Sequence, residues 1–150
     1  MASKRSVPRH QLIDEMLRDQ QELRELITKV HRVLADRQES IGRVTQLMRE
    51  VLERIQTHFA DEEASGLFEQ IAEHSPELGP LAAELRAQHD EISRMARELV
   101  AQASQGEAQT VWWDALARGF HEFSRSMIHH ENLENTMVMD AYECDHGTGD

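Results

Sequence analysis

The sequence predicts an all-α protein, an up-down-up-down antiparallel four-helix bundle. Three observations carry that prediction. Apolar residues recur at alternating steps of three and four in four separate stretches, no segment alternates with period two, and short polar or proline-bearing breaks divide the stretches. Short connections favour antiparallel neighbours. A chain of 150 residues, 39% hydrophobic and 29% charged, is long and apolar enough for one domain with its own core. The expected domain spans 1–150, with short disordered ends at about 1–8 and 145–150.

The first stripe is Ile13, Met16, Gln20, Leu23, Ile27, Val30 and Leu34. A polar turn over 35–40 follows, and Ser40 could cap the second helix. The second stripe is Ile41, Val44, Met48, Val51, Ile55, His58 and Glu62, and it ends in a stop at 74–80 that contains Pro76, Gly79 and Pro80. The third is Leu81, Leu85, His89, Ile92, Ala96 and Leu99. After a linker over 102–110, with Thr110 a candidate cap, the fourth stripe is Leu116, Phe120, Phe123, Met127, His130, Glu134, Met137 and Ala141. The tail 145–150 is expected to be non-helical.

Charge excludes several function classes. A net charge of −12 argues against nucleic acid, because a phosphate-binding surface needs clustered Lys and Arg. No run of about 18 apolar residues is present to span a membrane. The basic residues Lys4, Arg5 and Arg9 are not followed by the apolar stretch of a signal peptide. A single cysteine, Cys144, fits a reducing compartment, so the expected location is cytoplasmic.

Polar residues inside the stripes carry the chemistry. His58 and Glu62 on the second helix, and His130 and Glu134 on the fourth, stand four residues apart, about one turn, so each pair aims an imidazole and a carboxylate at one place. His129 and Glu131 fall to either side of the fourth stripe, toward its flanks. His89 joins from the third helix. The turn near Pro76 lies 14 residues after Glu62 and 13 before His89, which sets these two at one height. The next connection is less even: Gly106 is 17 residues after His89 but 24 before His130, a mismatch of roughly 10 Å at about 1.5 Å per residue.

Imidazoles with carboxylates suit iron, manganese or zinc, and carboxylates can hold two cations while neutralising them. The competing reading is a metal-free bundle in which these residues are hydrogen-bonded pairs, acting as an interaction module, with a structural zinc version between the two. Against it stands recurrence of the same spacing on two helices, since buried carboxylates without a cation are unfavourable.

These residues resemble the hemerythrin-like, or HHE cation-binding, family. The match runs through 58–63, through His89 after the proline-containing turn, and through 130–135. The resemblance implies an up-down bundle with a non-haem diiron centre, and by residue-for-residue match His58, Glu62, His89, His130 and Glu134 would be ligands. It implies iron, about two per chain, with zinc or manganese as alternatives.

Two departures stand out. The family's first-helix histidine falls in 17–23, where Gln20 takes its place; it is 18 residues from Gln38, against 20 for His58. An amide oxygen is a weaker ligand than imidazole. His31 is the alternative, but the same height test sets it about eleven residues, or roughly 16 Å, too near the turn. One turn beyond His89 stands Ser93, where oxygen-carrying hemerythrins have a second histidine.

The thinned ligand set argues against simple oxygen carriage and leaves sensing of O2 or NO, peroxide chemistry or iron handling open. No nucleophile constellation or phosphate loop points to a conventional enzyme. Of the remaining residues, His10, His74 and His146 fall in tails or turns, His121 and His129 flank the fourth stripe, and Asp61 and Glu63 are expected to face solvent. Trp112 and Trp113 are expected to close the end of the bundle. Met16, Met48, Met95, Met127, Met137 and Met139 read as core filling, and Cys144 has no visible partner.

Overall fold

The computed structural model describes residues 8–107 and 109–148, and every long element in it is helical. The order is α1 (Arg9–Asp36), α2 (Ile41–Ser65), α3 (Leu67–His74), a 3-10 turn (Pro76–Leu78), α4 (Gly79–Ser104) and α5 (Thr110–Thr148). The expected second helix is thus two helices. Gly66 takes φ 75°, a left-handed conformation that glycine adopts without steric penalty, and it ends α2 before the expected stop. The Ser65 hydroxyl donates to the Glu62 carbonyl at 2.7 Å and accepts the Leu67 N–H at 3.2 Å, securing both sides of the break.

Other boundaries follow from local chemistry. Pro8 precedes α1, and its carbonyl accepts the N–H groups of Gln11 and Leu12 at 3.0 and 3.2 Å; the rest of the expected N-terminal end, 1–7, lies outside the described residues. Ser40 caps α2 as expected, its hydroxyl accepting the Arg43 N–H at 3.2 Å. Thr110 is not a cap. It is the first residue of α5, and the Trp113 N–H bonds the Gln109 carbonyl at 3.1 Å. The expected non-helical tail is also corrected: with no proline to stop it, α5 continues to Thr148, and only 149–150 lie outside the described residues.

Cross-helix pairs show how the elements lie. On α1 and α5, Arg24 meets Glu131, His31 meets Ser124 and Arg37 meets Asp114, so numbers rise on one helix as they fall on the other. Glu22 with Arg54 ties α1 to α2, and Glu69 with Arg86 ties α3 to α4. The mismatch between α4 and α5 disappears here. A Cβ on Gly119 would lie 3.2 Å from Leu99, so these two residues are opposite; Leu99 is ten residues after His89 and Gly119 eleven before His130. The effective turn lies near Gln109 rather than Gly106, because the Trp112 indole folds back over Gly106 to donate to the Gln102 carbonyl at 3.3 Å.

The stripes are buried almost as read. Leu12 and Ala82 take the inward places expected of Ile13 and Leu81, which are only partly buried. Met139 is 60% exposed on α5 and fills no core. Trp112 and Trp113 are buried at the start of α5.

The apolar interior forms two clusters. One contains Leu23, Ile55, Phe59, Ile92 and Met127, and the other Met16, Leu67, Leu85 and Met137. Along each long helix a polar residue stands between them: Gln20 on α1, His58 and Glu62 on α2, His89 on α4, and His130 and Glu134 on α5, all buried. Desolvating such groups is unfavourable unless they find partners, so this layer is where the fold spends stability on chemistry.

Candidate metal centre

Within α2 the one-turn spacing brings His58 Nε2 to 2.7 Å from Glu62 Oε1. Within α5 the same spacing sets His130 Nε2 2.5 Å from Glu134 Oε1. His89 reaches across from α4, with Nε2 3.1 Å from Glu62 Oε2, as the height argument required. Gln20 enters from α1, its amide nitrogen donating to Glu134 Oε2 at 3.2 Å. Ligand atoms of Glu62, His89, His130 and Glu134 all lie within 4.8 Å of one another, a buried group that could hold a metal ion.

The geometry of these close pairs is not that of hydrogen bonds. Nε2 of His58, His89 and His130, both Glu62 oxygens and Glu134 Oε1 are buried without a hydrogen-bond partner. The outer faces of two rings explain why. His130 Nδ1 lies 2.8 Å from Gln88 Oε1, and His89 Nδ1 lies 3.1 Å from Glu63 Oε1. Both partners are acceptors, so each Nδ1 carries a proton, and in the neutral ring each Nε2 turns a lone pair inward. Lone pairs facing carboxylate oxygens repel in the absence of a positive charge. A metal-ligating histidine shows this same arrangement, with its second nitrogen bonded to a carboxylate or amide oxygen. The donor set therefore fits a cation of the iron, manganese or zinc type.

Without a cation, the same groups divide charge and protons unevenly among themselves. Burial would raise Glu62, but contact with His58 and His89 outweighs it and holds that carboxyl down to about 2. Burial, reinforced by the Glu62 charge, pushes Glu134 well above the usual carboxylate range. Burial also drops His130 to about 3. Burial would lower His58 as well, yet the contact with Glu62 raises it on balance. One carboxylate is ionised here and its neighbour resists ionising, a balance that an added cation would shift. Phe59 stacks on His89 at 4.0 Å between ring centres and meets His130 edge-on at 5.3 Å, fixing both rings.

The sequence expectations sort clearly. His58, Glu62, His89, His130, Glu134 and Gln20 are brought to one layer. His31 is not: it is half-buried between α1 and α5, with Nε2 3.1 Å from Ser124 Oγ and its ring against Phe120, and burial followed by the charge of His121 lowers its pKa. His10, His121 and His129 are exposed. Asp61 is exposed as expected, whereas Glu63, though 47% exposed, reaches back to His89.

Two residues were missed. Glu131, expected on a flank, is 1% exposed; Arg24 donates to its Oε2 at 2.9 Å while its Oε1 has no partner, and burial raises its pKa. The signal was available, because Arg24 sits one turn past Gln20 much as Glu131 sits one turn before Glu134. Gln88 was also missed, and no periodicity marks it, since it lies one residue off the stripe beside His89.

No match was found among curated proteins or solved structures. The family model described as the hemerythrin HHE cation-binding domain matches residues 11–146, a span that includes all the residues of the polar layer. The chain belongs to the hemerythrin HHE cation-binding domain family.

Proposed function

We propose that this chain is a hemerythrin-like protein, an up-down-up-down bundle with α3 continuing α2, whose polar layer holds a non-haem diiron centre that acts on O2, NO or peroxide or in iron handling. The observation that carries the reading is the convergence of three imidazole Nε2 atoms on two buried carboxylates without hydrogen-bond geometry between them. His58, Glu62, His89, His130 and Glu134 would be the ligands, with Gln20 as a weak sixth donor or as the hydrogen-bond partner of Glu134. A bound iron pair would supply one-electron chemistry toward a small diatomic molecule or peroxide.

The chain's own residues do the rest. Gln88 and Glu63 hold the His130 and His89 rings in the tautomer that presents Nε2. Phe59 packs against the His89 and His130 rings and holds them in place. Arg24 neutralises the buried Glu131, so that a third carboxylate can stand near the layer. Gln20 leaves the α1 side less tightly ligated than an imidazole would, which favours an exchangeable ligand there. With one cysteine in the sequence and, among the described residues, no helix long and apolar enough to cross a membrane, the proposed location is the cytoplasm.

The test is elemental analysis of the chain purified in air without a metal-binding tag, with its absorption spectrum. About two irons per chain and a near-ultraviolet charge-transfer band are expected. Zinc with no colour would move the reading to a structural site. No metal after anaerobic incubation with ferrous iron would overturn it, leaving the layer as a polar network.

A further inference from the structure

We propose that the face between α1 and α2 is the route by which a divalent cation reaches the polar layer, with His58 as the residue that receives it. This rests on the cation-binding reading above. A pocket with a volume of about 60 Å3 lies on this face, lined by Asp19 of α1 and by Arg54, Thr57, His58 and Asp61 of α2. That is room for a few water molecules. Asp61 and Thr57 are exposed at its rim, and His58, 4% exposed, forms its inner wall.

His58 spans the pocket and the layer. Its Nδ1 faces Asp19 Oδ2 at 3.6 Å, beyond hydrogen-bonding distance, and its Nε2 faces Glu62. Neither nitrogen has a hydrogen-bond partner, although the ring is buried. His89 and His130 each have an outer acceptor that fixes the ring; His58 has none, so it is the imidazole of the layer best able to turn. A buried, unpartnered imidazole at the back of a pocket rimmed by two carboxylates is a donor set for a cation arriving from solvent.

The approach is acidic farther out. A wider groove shares Arg54 and Thr57 with the pocket and adds Glu22, Glu50 and Glu53. Arg54 stands where the two meet and is paired with Glu22 across the α1–α2 boundary. A cleft with an excess of negative charge concentrates cations and raises their association rate, and salt screens the effect. Arg54 lines both cavities and opposes a cation passing it, and its ion pair with Glu22 also cancels one of the groove's carboxylates.

The experiment is stopped-flow uptake of Co(II) by the metal-free full chain, read from the visible bands of the bound ion at low and high ionic strength. Asp61→Asn is expected to slow uptake about fivefold at low ionic strength, and Arg54→Gln to accelerate it by a similar factor. Both effects should shrink at high salt, while the final spectrum and stoichiometry stay those of the unaltered chain. Glu91→Gln, exposed on α4, makes the same change in net charge as Asp61→Asn and should leave the rate unchanged. Rates within twofold for both portal variants would overturn the route. Equal slowing by Glu91→Gln would overturn it too, since net charge rather than this face would then set the rate. No uptake by the unaltered chain would sink the cation-binding reading itself.

Discussion

His130 Nδ1 donates to Gln88 Oε1 at 2.8 Å, and this one bond decides which way the ring's lone pair faces. Removing the acceptor leaves a buried N–H unsatisfied and frees the other tautomer. Gln88→Leu should lower metal affinity about 10- to 100-fold while helix content is retained. Gln88→Glu keeps an acceptor and should hold affinity near that of the unaltered chain. Calorimetric titration with Co(II) separates the two. Equal affinities for Gln88→Leu and the unaltered chain would mean that Nε2 is not a ligand atom.

Glu134 distinguishes a metal site from a structural pair by opposite signs. Burial and the charge of Glu62 disfavour its ionised form in the metal-free chain. Glu134→Gln should therefore leave the metal-free protein as stable as before, or more so, yet sharply lower its metal content. Thermal melting of both forms, with metal analysis, checks this. A strongly destabilised metal-free variant would instead mark Glu134 as a structural partner of Gln20 and His130.

Acid should act on the metal-free fold through His130. Burial lowers that imidazole from 6.5 to about 3, so between those values the unfolded chain binds a proton that the folded chain does not. Stability contributed by the neutral ring is complete above about pH 6.5 and is lost as pH falls through that window. Urea midpoints of the metal-free chain, taken from pH 7 toward 4, should fall more steeply than those of His130→Gln. Parallel slopes would show that the ring is not held neutral.

The start of α5 offers a packing test away from the layer. A Cβ on Gly106 would lie 1.7 Å from Trp112 Cδ1, whereas one on Gly119 would lie 3.2 Å from Leu99 Cδ2. Gly106→Ala must displace a buried indole and should destabilise by about 1–3 kcal/mol, with loss of the near-ultraviolet tryptophan signal. Gly119→Ala, where a flexible leucine can give way, should be milder. Equal effects would argue against the indole lying over Gly106.

Much of this was legible in the sequence because helical periodicity and residue heights are geometric. The pairs His58–Glu62 and His130–Glu134 needed only the helical repeat, and the level of His89 needed only chain counting across the turn at Pro76. Legibility ended where a single backbone torsion or a lone side chain decided the outcome. Gly66 at φ 75° ends α2 eight residues before the stop that begins at His74, and the fold of Trp112 over Gly106 moves the effective turn by three residues. Glu131 escaped because a carboxylate one step off a stripe reads as solvated until its guanidinium partner is seen.

The polar layer also lies between two oily halves of the interior, one around Leu23, Ile55 and Met127, the other around Met16, Leu85 and Met137. Cooperativity must cross that plane, where without a cation the Gln20–Glu134 and His130–Gln88 hydrogen bonds stand beside imidazole and carboxylate atoms that lack partners. Without that ion, the two halves would be less tightly coupled than one unbroken apolar core on the same four helical rods. A bound ion would act as a rivet between them, so cation supply would set how large a piece of this protein melts as one.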